Sequence, residues 1–440
     1  MFNYSYKDIL KIVLPLVVSG FGQSVIYVTD TLFLGRLGEV ALGASAIAGL
    51  FYATLMMIGF GISSGLQVLI AQKYGEGKRE ETNLYLLNGI FIQLVVAVLL
   101  TILYFIFQSH LITLMIKSNE LKSSTMSFLG VRVLGFVPYF LFYSYRAYYL
   151  GTGETKIISL VIVIMSVLNL ILNPLLIYGY AGIIPALDYV GSAWASVIAE
   201  WAGMFFIMIF YSYRKNSAKF ISYIQIKIWK EILTLSLPLI FQHFISVFSW
   251  FLFFVFIEKM GSKELAVSNI IRAVYVLLMA PILAFSHTTV TITGQIFGSK
   301  EYGQLKNVVW RVCLLSVIFT LPFSIVSFFK PTWLMQIFTN NDEIMTDGIP
   351  VMKLVAFALL YFSVSLPWLS GVTGIGKTRH ALMIELISFV VYITVSYVFV
   401  FVWQWTLPMV WLNEFVYFTC IMGMSYWVFS KQISITHLSC

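Results

Sequence analysis

Charge is scarce in this chain, and so is cysteine. Only 10% of the 440 residues are Asp, Glu, Lys or Arg, 60% are hydrophobic and the mean hydropathy is +0.91. Soluble globular domains carry about 25% charged residues, so a soluble chain of this length is excluded. Cys313, Cys420 and Cys440 are scattered without metal or redox spacing and read as small buried residues. No H-E-x-x-H segment or paired metal-ligand Cys and His occurs, which leaves an intramembrane enzyme without visible metal apparatus. His243 and His287 each stand alone in an apolar run and read as hydrogen-bonded structural residues, with a proton relay as the alternative.

What is abundant is apolar sequence in lengths that cross about 30 Å of hydrocarbon as helix. Twelve spans are predicted, at about 9 to 34, 40 to 71, 84 to 108, 125 to 150, 156 to 180, 191 to 212, 231 to 257, 263 to 297, 308 to 330, 347 to 373, 379 to 403 and 407 to 430. The net charge of +8 is topological rather than a nucleic-acid footprint. Lys7, Lys11, Lys73, Lys78, Arg79, Lys156, Arg214, Lys215, Lys227, Lys230 and Lys377 fall on one side of the membrane. The other side carries only Arg36, Lys117, Lys122, Lys259, Lys263 and Lys330. The positive-inside bias places both termini in the cytoplasm. The first apolar run has no small-residue cleavage site and reads as a retained span rather than a signal peptide.

Residues 7 to 16, KDILKIVLPL, return as KEILTLSLPL at 230 to 239, and the offset of 223 residues holds far beyond them. It joins Pro15 to Pro238, Gln72 to Gln295, Gly75 to Gly298, Gly151 to Gly374 and Gly153 to Gly376. Each half carries six spans, an even number, so the repeats are expected to be parallel. The expected division is an N-terminal lobe at 1 to 213, a basic amphipathic cytoplasmic linker at 214 to 229 and a C-terminal lobe at 230 to 440. The run Gly59, Gly61, Ser63, Ser64, Gly65 predicts close helix packing. Residues 371 to 378, GVTGIGKT, satisfy the phosphate-loop pattern, but they follow a membrane helix instead of a strand. The repeat copy YYLGTGET keeps the turn glycines and loses the lysine, so a turn explains both and no nucleotide is expected.

A carboxylate at mid-membrane costs about 2.5–3.5 kcal/mol on insertion scales and requires a reason. Asp30 lies in the first span, beyond Pro15, which removes a helical hydrogen bond and is expected to bend the helix. Asn169 and Asn173, one turn apart and followed by Pro174, put two amides on one face of span five, and Ser196 and Glu200 are similarly spaced in span six. Amide oxygens can join a carboxylate around a small hard cation or bond its protonated form; the alternative is that they merely tie helices together. The repeat partners of Asp30, Asn169, Asn173 and Glu200 are Phe253, Tyr392, Ser396 and Gly423, which predicts an acidic site in the first half only. Arg272 and Lys353 break the repeat the other way, and the two readings open to them are that they face a cavity or that they pair with Glu385 or Glu414.

These features together resemble the multidrug and toxic compound extrusion (MATE) family over nearly the whole chain. The resemblance rests on Leu14-Pro15-Leu16, Gln23, Thr29-Asp30-Thr31 and Gly35-Arg36-Leu37-Gly38 in the first span. It rests also on Gln72 and Gly75 with their repeat at Gln295 and Gly298, the turn at Arg146 to Lys156, the NxxxNP element of span five and the small-residue stretch Gly191 to Ser196. It implies an all-α membrane protein that exports organic, cationic or amphipathic compounds in exchange for protons or sodium ions. By the same resemblance Asp30 binds the coupling ion with Asn169, and Asn173 falls where some relatives carry a second aspartate. Ser196 matches their threonine. With that second acid lost, sodium at Asp30, Asn169 and Asn173 would need support from Glu200. Another branch carries an acid near Ser246; its absence here agrees with coupling in the N-terminal lobe. A central cavity is implied, with Gln23, Tyr27, Tyr139 and Trp194 as candidate lining residues that could stack on organic cations. Small organic substrates and the lipid bilayer are the expected partners of a monomer in the plasma (inner) membrane, with no cofactor beyond the coupling ion and no nucleic acid. The alternatives are a lipid-linked oligosaccharide flippase, which should present several basic residues where the first-half spans hold only Arg132 and Arg146, and a membrane-embedded enzyme.

Overall fold

The computed structural model describes residues 4–180, 182–215 and 224–438. Among them the chain is helical throughout, with a single isolated bridge, Tyr180 to Ile184, in place of any sheet. The helices of the first half are α1 (Tyr6–Gly35), α2 (Glu39–Gly75), α3 (Arg79–Met115), α4 (Asn119–Arg132), α5 (Phe136–Thr152), α6 (Thr155–Tyr178) and α7 (Tyr189–Lys215). Those of the second are α8 (Ile226–Met260), α9 (Ser262–Gly298), α10 (Leu305–Phe329), α11 (Pro331–Met335), α12 (Asp342–Gly374), α13 (Thr378–Tyr397), α14 (Leu407–Trp411) and α15 (Asn413–Leu438). They supply 12 stretches long and apolar enough to cross a membrane, as the hydropathy predicts. α4 and α5 form one such stretch, joined by a single 3-10 turn at Val133–Gly135. Half of the predicted linker, residues 216–223, lies outside the described residues.

Local chemistry sets the helix ends. Ser5 and Asp8 form a capping box at α1, the Ser5 hydroxyl accepting from the Asp8 amide at 3.3 Å while the Asp8 carboxylate accepts from the Ser5 amide at 3.3 Å. Asn341 caps α12 through the amides of Glu343 and Ile344 at 3.0 and 3.1 Å. Gly153 and Gly376, at φ 82° and 81°, occupy the left-handed region after α5 and α12, where only glycine sits without strain. The phosphate-loop pattern is therefore the end of α12, a glycine turn and the start of α13. Pro15 and Pro174 sit within α1 and α6, whose helical assignment runs through them.

The chain packs as two compact units. Unit 1 comprises Met1–Val17, Ala71–Lys78 and Leu237–Cys440; unit 2 comprises Val18–Ile70 and Arg79–Ser236. Within unit 2 the small-residue run of α2 works as predicted. A Cβ at Gly59 would lie 2.8 Å from the Phe140 ring and one at Gly65 would lie 2.2 Å from the Ser236 hydroxyl. The Ser63 hydroxyl donates to the Tyr143 carbonyl at 2.8 Å. Asn88 on α3 accepts from the Gln225 amide at 2.9 Å and the Trp229 indole at 3.0 Å, fixing the start of α8.

Within unit 1 the ends of α2 and α9 cross backbone to backbone. A Cβ at Gly75 would lie 2.0 Å from the Gln295 carbonyl oxygen, and one at Gly298 would lie 2.1 Å from that of Gln72. The contact is reciprocal under the 223-residue offset, so the duplication is visible in the packing. These glycines do more than end helices, because the obstructing atoms are main chain and cannot rotate away. Gly75→Ala and Gly298→Ala should each cost about 1–3 kcal/mol as overpacking, read as a lowered thermal unfolding midpoint of the purified protein; unchanged midpoints would contradict the close crossing.

Candidate functional site

Span-five and span-six residues meet Asp30 inside unit 2. Asn173 and Asn169, one turn apart on α6, are both buried, and Ser196 faces them from α7. Asn173 Nδ2 donates to Asp30 Oδ1 at 2.6 Å and to Asn169 Oδ1 at 3.0 Å. Asn169 Nδ2 donates to Ser196 Oγ at 3.1 Å, and the Ser196 hydroxyl donates to Asp30 Oδ2 at 3.5 Å. The sequence spacing thus translates into one hydrogen-bonded cluster in which amide and hydroxyl donors converge on a half-buried carboxylate. Asn173 Oδ1 is buried with no partner, an acceptor left available beside Asp30. The helix proline that follows Asn173 leaves the Leu170 carbonyl without its intrahelical donor.

Glu200 is placed differently from the other four. It is 4% exposed, and its two carboxylate oxygens accept from Arg132 Nη1 and Nη2 at 2.9 and 2.8 Å, a bidentate pair. The Tyr52 hydroxyl adds a 3.4 Å bond to Glu200 Oε2. Arg132 also lies over the Tyr52 ring, 3.9 Å from its centroid, and that ring stacks on Phe136 at 4.9 Å. Among the described residues no hydrogen bond joins Glu200 to the Asp30 cluster, although Arg132 acts electrostatically on both carboxylates. Gly135 makes the pair possible: a Cβ there would stand 2.2 Å from Glu200 Oε2 and 2.9 Å from Arg132 Nη1. Arg132, Tyr52 and Gly135 were not legible as site residues. The one available signal was a buried basic residue in a span with an acid elsewhere in the same half.

The cavity candidates are less well joined. Gln23 is exposed, while Tyr139 and Trp194 are half-buried. Tyr139 packs edge-on against Tyr143 at 4.9 Å and Phe142 at 5.7 Å. No hydrogen bond or ring contact joins Gln23, Tyr139 and Trp194 among the described residues, and the side chain of Tyr27 lies outside them. Arg272 and Lys353 take neither predicted acid as partner: Arg272 lies over the Phe254 ring at 4.8 Å and Lys353 over that of Phe328 at 5.6 Å.

A duplicated fold with twelve membrane-length helices among the described residues, and a polar cluster around the carboxylate of Asp30, suits a membrane transporter. The MatE family model matches residues 15–175 and 238–398, two segments related by the same 223-residue offset, and the chain belongs to this family. It is therefore a multi-pass membrane transporter rather than an enzyme. Among its relatives, a probable multidrug resistance protein NorM of Synechocystis is 24% identical, over 97% of this chain and 94% of its own length. The multidrug resistance protein MdtK of Photorhabdus laumondii is 25% identical over 87% and 85% respectively. An outward-facing multidrug resistance MATE transporter of the MOP superfamily superposes with a TM-score of 0.91 at 19% identity, covering 98% of this chain and 96% of that one.

Proposed function

We propose that this protein is a multidrug efflux antiporter of the plasma membrane that expels organic, cationic or amphipathic compounds in exchange for one monovalent cation, a proton or a sodium ion, taken up at Asp30. The relatives named multidrug resistance proteins support the export of such compounds. The observation that carries the coupling is the difference between Glu200 and Asp30 in unit 2: Glu200 is held by Arg132 in a bidentate ion pair, whereas the hydrogen-bond partners of Asp30 are all dipoles. The cluster thus retains one negative charge, which one monovalent ion cancels.

In the empty state the donors on Asn173 and Ser196 stabilise the Asp30 carboxylate. A proton on Asp30 supplies a donor that the buried Asn173 Oδ1 can accept. A sodium ion would instead draw on that oxygen and on Asp30 itself. Either event removes an uncompensated membrane charge, a term of about 2.5–3.5 kcal/mol on insertion scales, and repacks α1 against α6 and α7. Antiport follows when the ion-loaded and substrate-loaded arrangements exclude one another. We assign alternating access to N-terminal and C-terminal lobes at 1–213 and 230–440, with both termini cytoplasmic in a functional monomer. Gln23, Tyr27, Tyr139 and Trp194 are the proposed substrate-cavity residues, and Pro15 the point at which α1 flexes.

The purified protein in liposomes should drive a fluorescent organic cation uphill only while an ion gradient is imposed. Transport that proceeds equally well without any gradient would overturn the antiport reading.

A further inference from the structure

The repeat comparison predicts acidic chemistry in the first half alone, yet unit 1 buries two carboxylates of its own. Glu385 on α13 and Glu414 in the first turn of α15 are each 1% exposed. Among the described residues neither enters an ion pair, which separates them from Glu200. Ser246 Oγ donates to Glu385 Oε1 at 2.6 Å, and the Tyr417 hydroxyl donates to the same oxygen. The Tyr392 hydroxyl donates to Glu414 Oε1 at 2.8 Å. The Tyr392 and Tyr417 rings lie 5.1 Å apart, so the two acids are linked through a tyrosine pair.

Three unpartnered atoms mark this cluster. Glu414 Oε2 and the hydroxyl of Tyr275 on α9, which is turned toward Glu414, are both buried without a hydrogen-bond partner. Gln242, one turn before Ser246 on α8, is 8% exposed and reaches Glu385, and its Oε1 is likewise without a partner. A bare carboxylate in such a place costs far more than a neutral carboxyl, whose O–H needs only one acceptor. The groups turned toward the pair are hydroxyls and amides: Gln242 and Ser246 on α8, Tyr275 on α9, Tyr392 on α13 and Tyr417 on α15. Of the basic residues on the packed helices, which also include His243 on α8 and His287 on α9, Arg272 and Lys353 are engaged with aromatic rings. Hydroxyl donors already fill the Oε1 positions, which disfavours a metal cation, and no third His, Cys, Asp or Glu joins the two glutamates among the described residues.

The location is not arbitrary. Tyr392 and Ser396 hold the repeat positions of Asn169 and Asn173, and Phe253, at the repeat position of Asp30, packs 5.5 Å from the Tyr392 ring. The second half therefore has its polar centre where the first half has the Asp30 cluster, but the acids enter from α13 and α15.

We propose that Glu385 and Glu414 form a second proton-binding site, bridged by Tyr417 and Tyr392 and independent of Asp30. A proton taken from water becomes a carboxyl O–H on one glutamate and leaves again as hydronium; no other covalent bond changes. The proposal goes beyond the assignment of coupling to Asp30, and it is tested in the full-length Asp30→Asn protein so that only this pair is read. Infrared difference spectra recorded on stepping the pH should retain a protonated-carboxyl band in Asp30→Asn. That band should fall by about half or more in Asp30→Asn/Glu414→Gln and in Asp30→Asn/Glu385→Gln. Absence of a titrating buried carboxyl in Asp30→Asn, or a band indifferent to both glutamine substitutions, would overturn it. Should a glutamine variant fail to fold, Tyr417→Phe in the same background removes only a hydroxyl. It should displace the band's midpoint by about tenfold in proton concentration, the size expected for one lost donor to an ionisable group; an unmoved midpoint also overturns the proposal.

Discussion

Replacing Arg132 with methionine should lower the stability of the protein by about 3–5 kcal/mol, the usual cost of leaving a buried charge without its partner. Both Glu200 oxygens are held by the guanidinium at 2.8–2.9 Å, and the carboxylate is too buried for water to take over. The stem and guanidinium also pack on Tyr52, so the variant loses a cation–π contact in the same step. Because such a penalty belongs to the orphaned charge rather than to the pair, the double variant Arg132→Met/Glu200→Met should recover most of the loss. Thermal unfolding in detergent checks both statements. A single variant as stable as the wild type would show that Glu200 does not depend on Arg132.

Asp30→Asn should uncouple substrate from ion. Asparagine keeps the size of the side chain and one acceptor for Asn173 or Ser196, but it carries no charge and so imitates an ion-loaded site permanently. In the wild type, substrate affinity should change by about 5–150-fold between ion-poor and ion-rich buffer, the range of ordinary coupling energies. In the variant that dependence should vanish while the protein still inserts and binds. Tryptophan quenching or calorimetry with an organic cation measures it; a variant whose affinity still tracks the ion would place the coupling elsewhere.

Much of this arrangement was legible in the residues. Apolar runs of membrane length located the 12 spans, and the repeat offset identified the turns at Gly153 and Gly376 and dismissed the phosphate loop. One-turn spacing placed Asn169 beside Asn173, and Ser196 reached Asp30 from the neighbouring helix. Helical periodicity says which residues share a face, but not which faces of non-adjacent helices meet. That is why the Arg132–Glu200 pair, contributed by α4 and α7, went unread. It is also why the sequence does not show Glu385 and Glu414 meeting in one cluster. The repeat relates only equivalent positions, whereas these acids reach the place equivalent to Asp30 from positions whose counterparts are Ile162 and Gly191. The close crossing at Gly75 and Gly298 was disguised for a related reason, since a glycine at a helix end reads first as a cap.

The central claim is that one uncompensated carboxylate, Asp30, links ion entry to substrate exit. Its most direct test is the initial rate of substrate efflux from proteoliposomes under separately imposed sodium and proton gradients, for the wild type and for Asp30→Asn. The prediction is uphill transport by the wild type under one of the two gradients and none by Asp30→Asn under either. Equal uphill transport by the two proteins would contradict it.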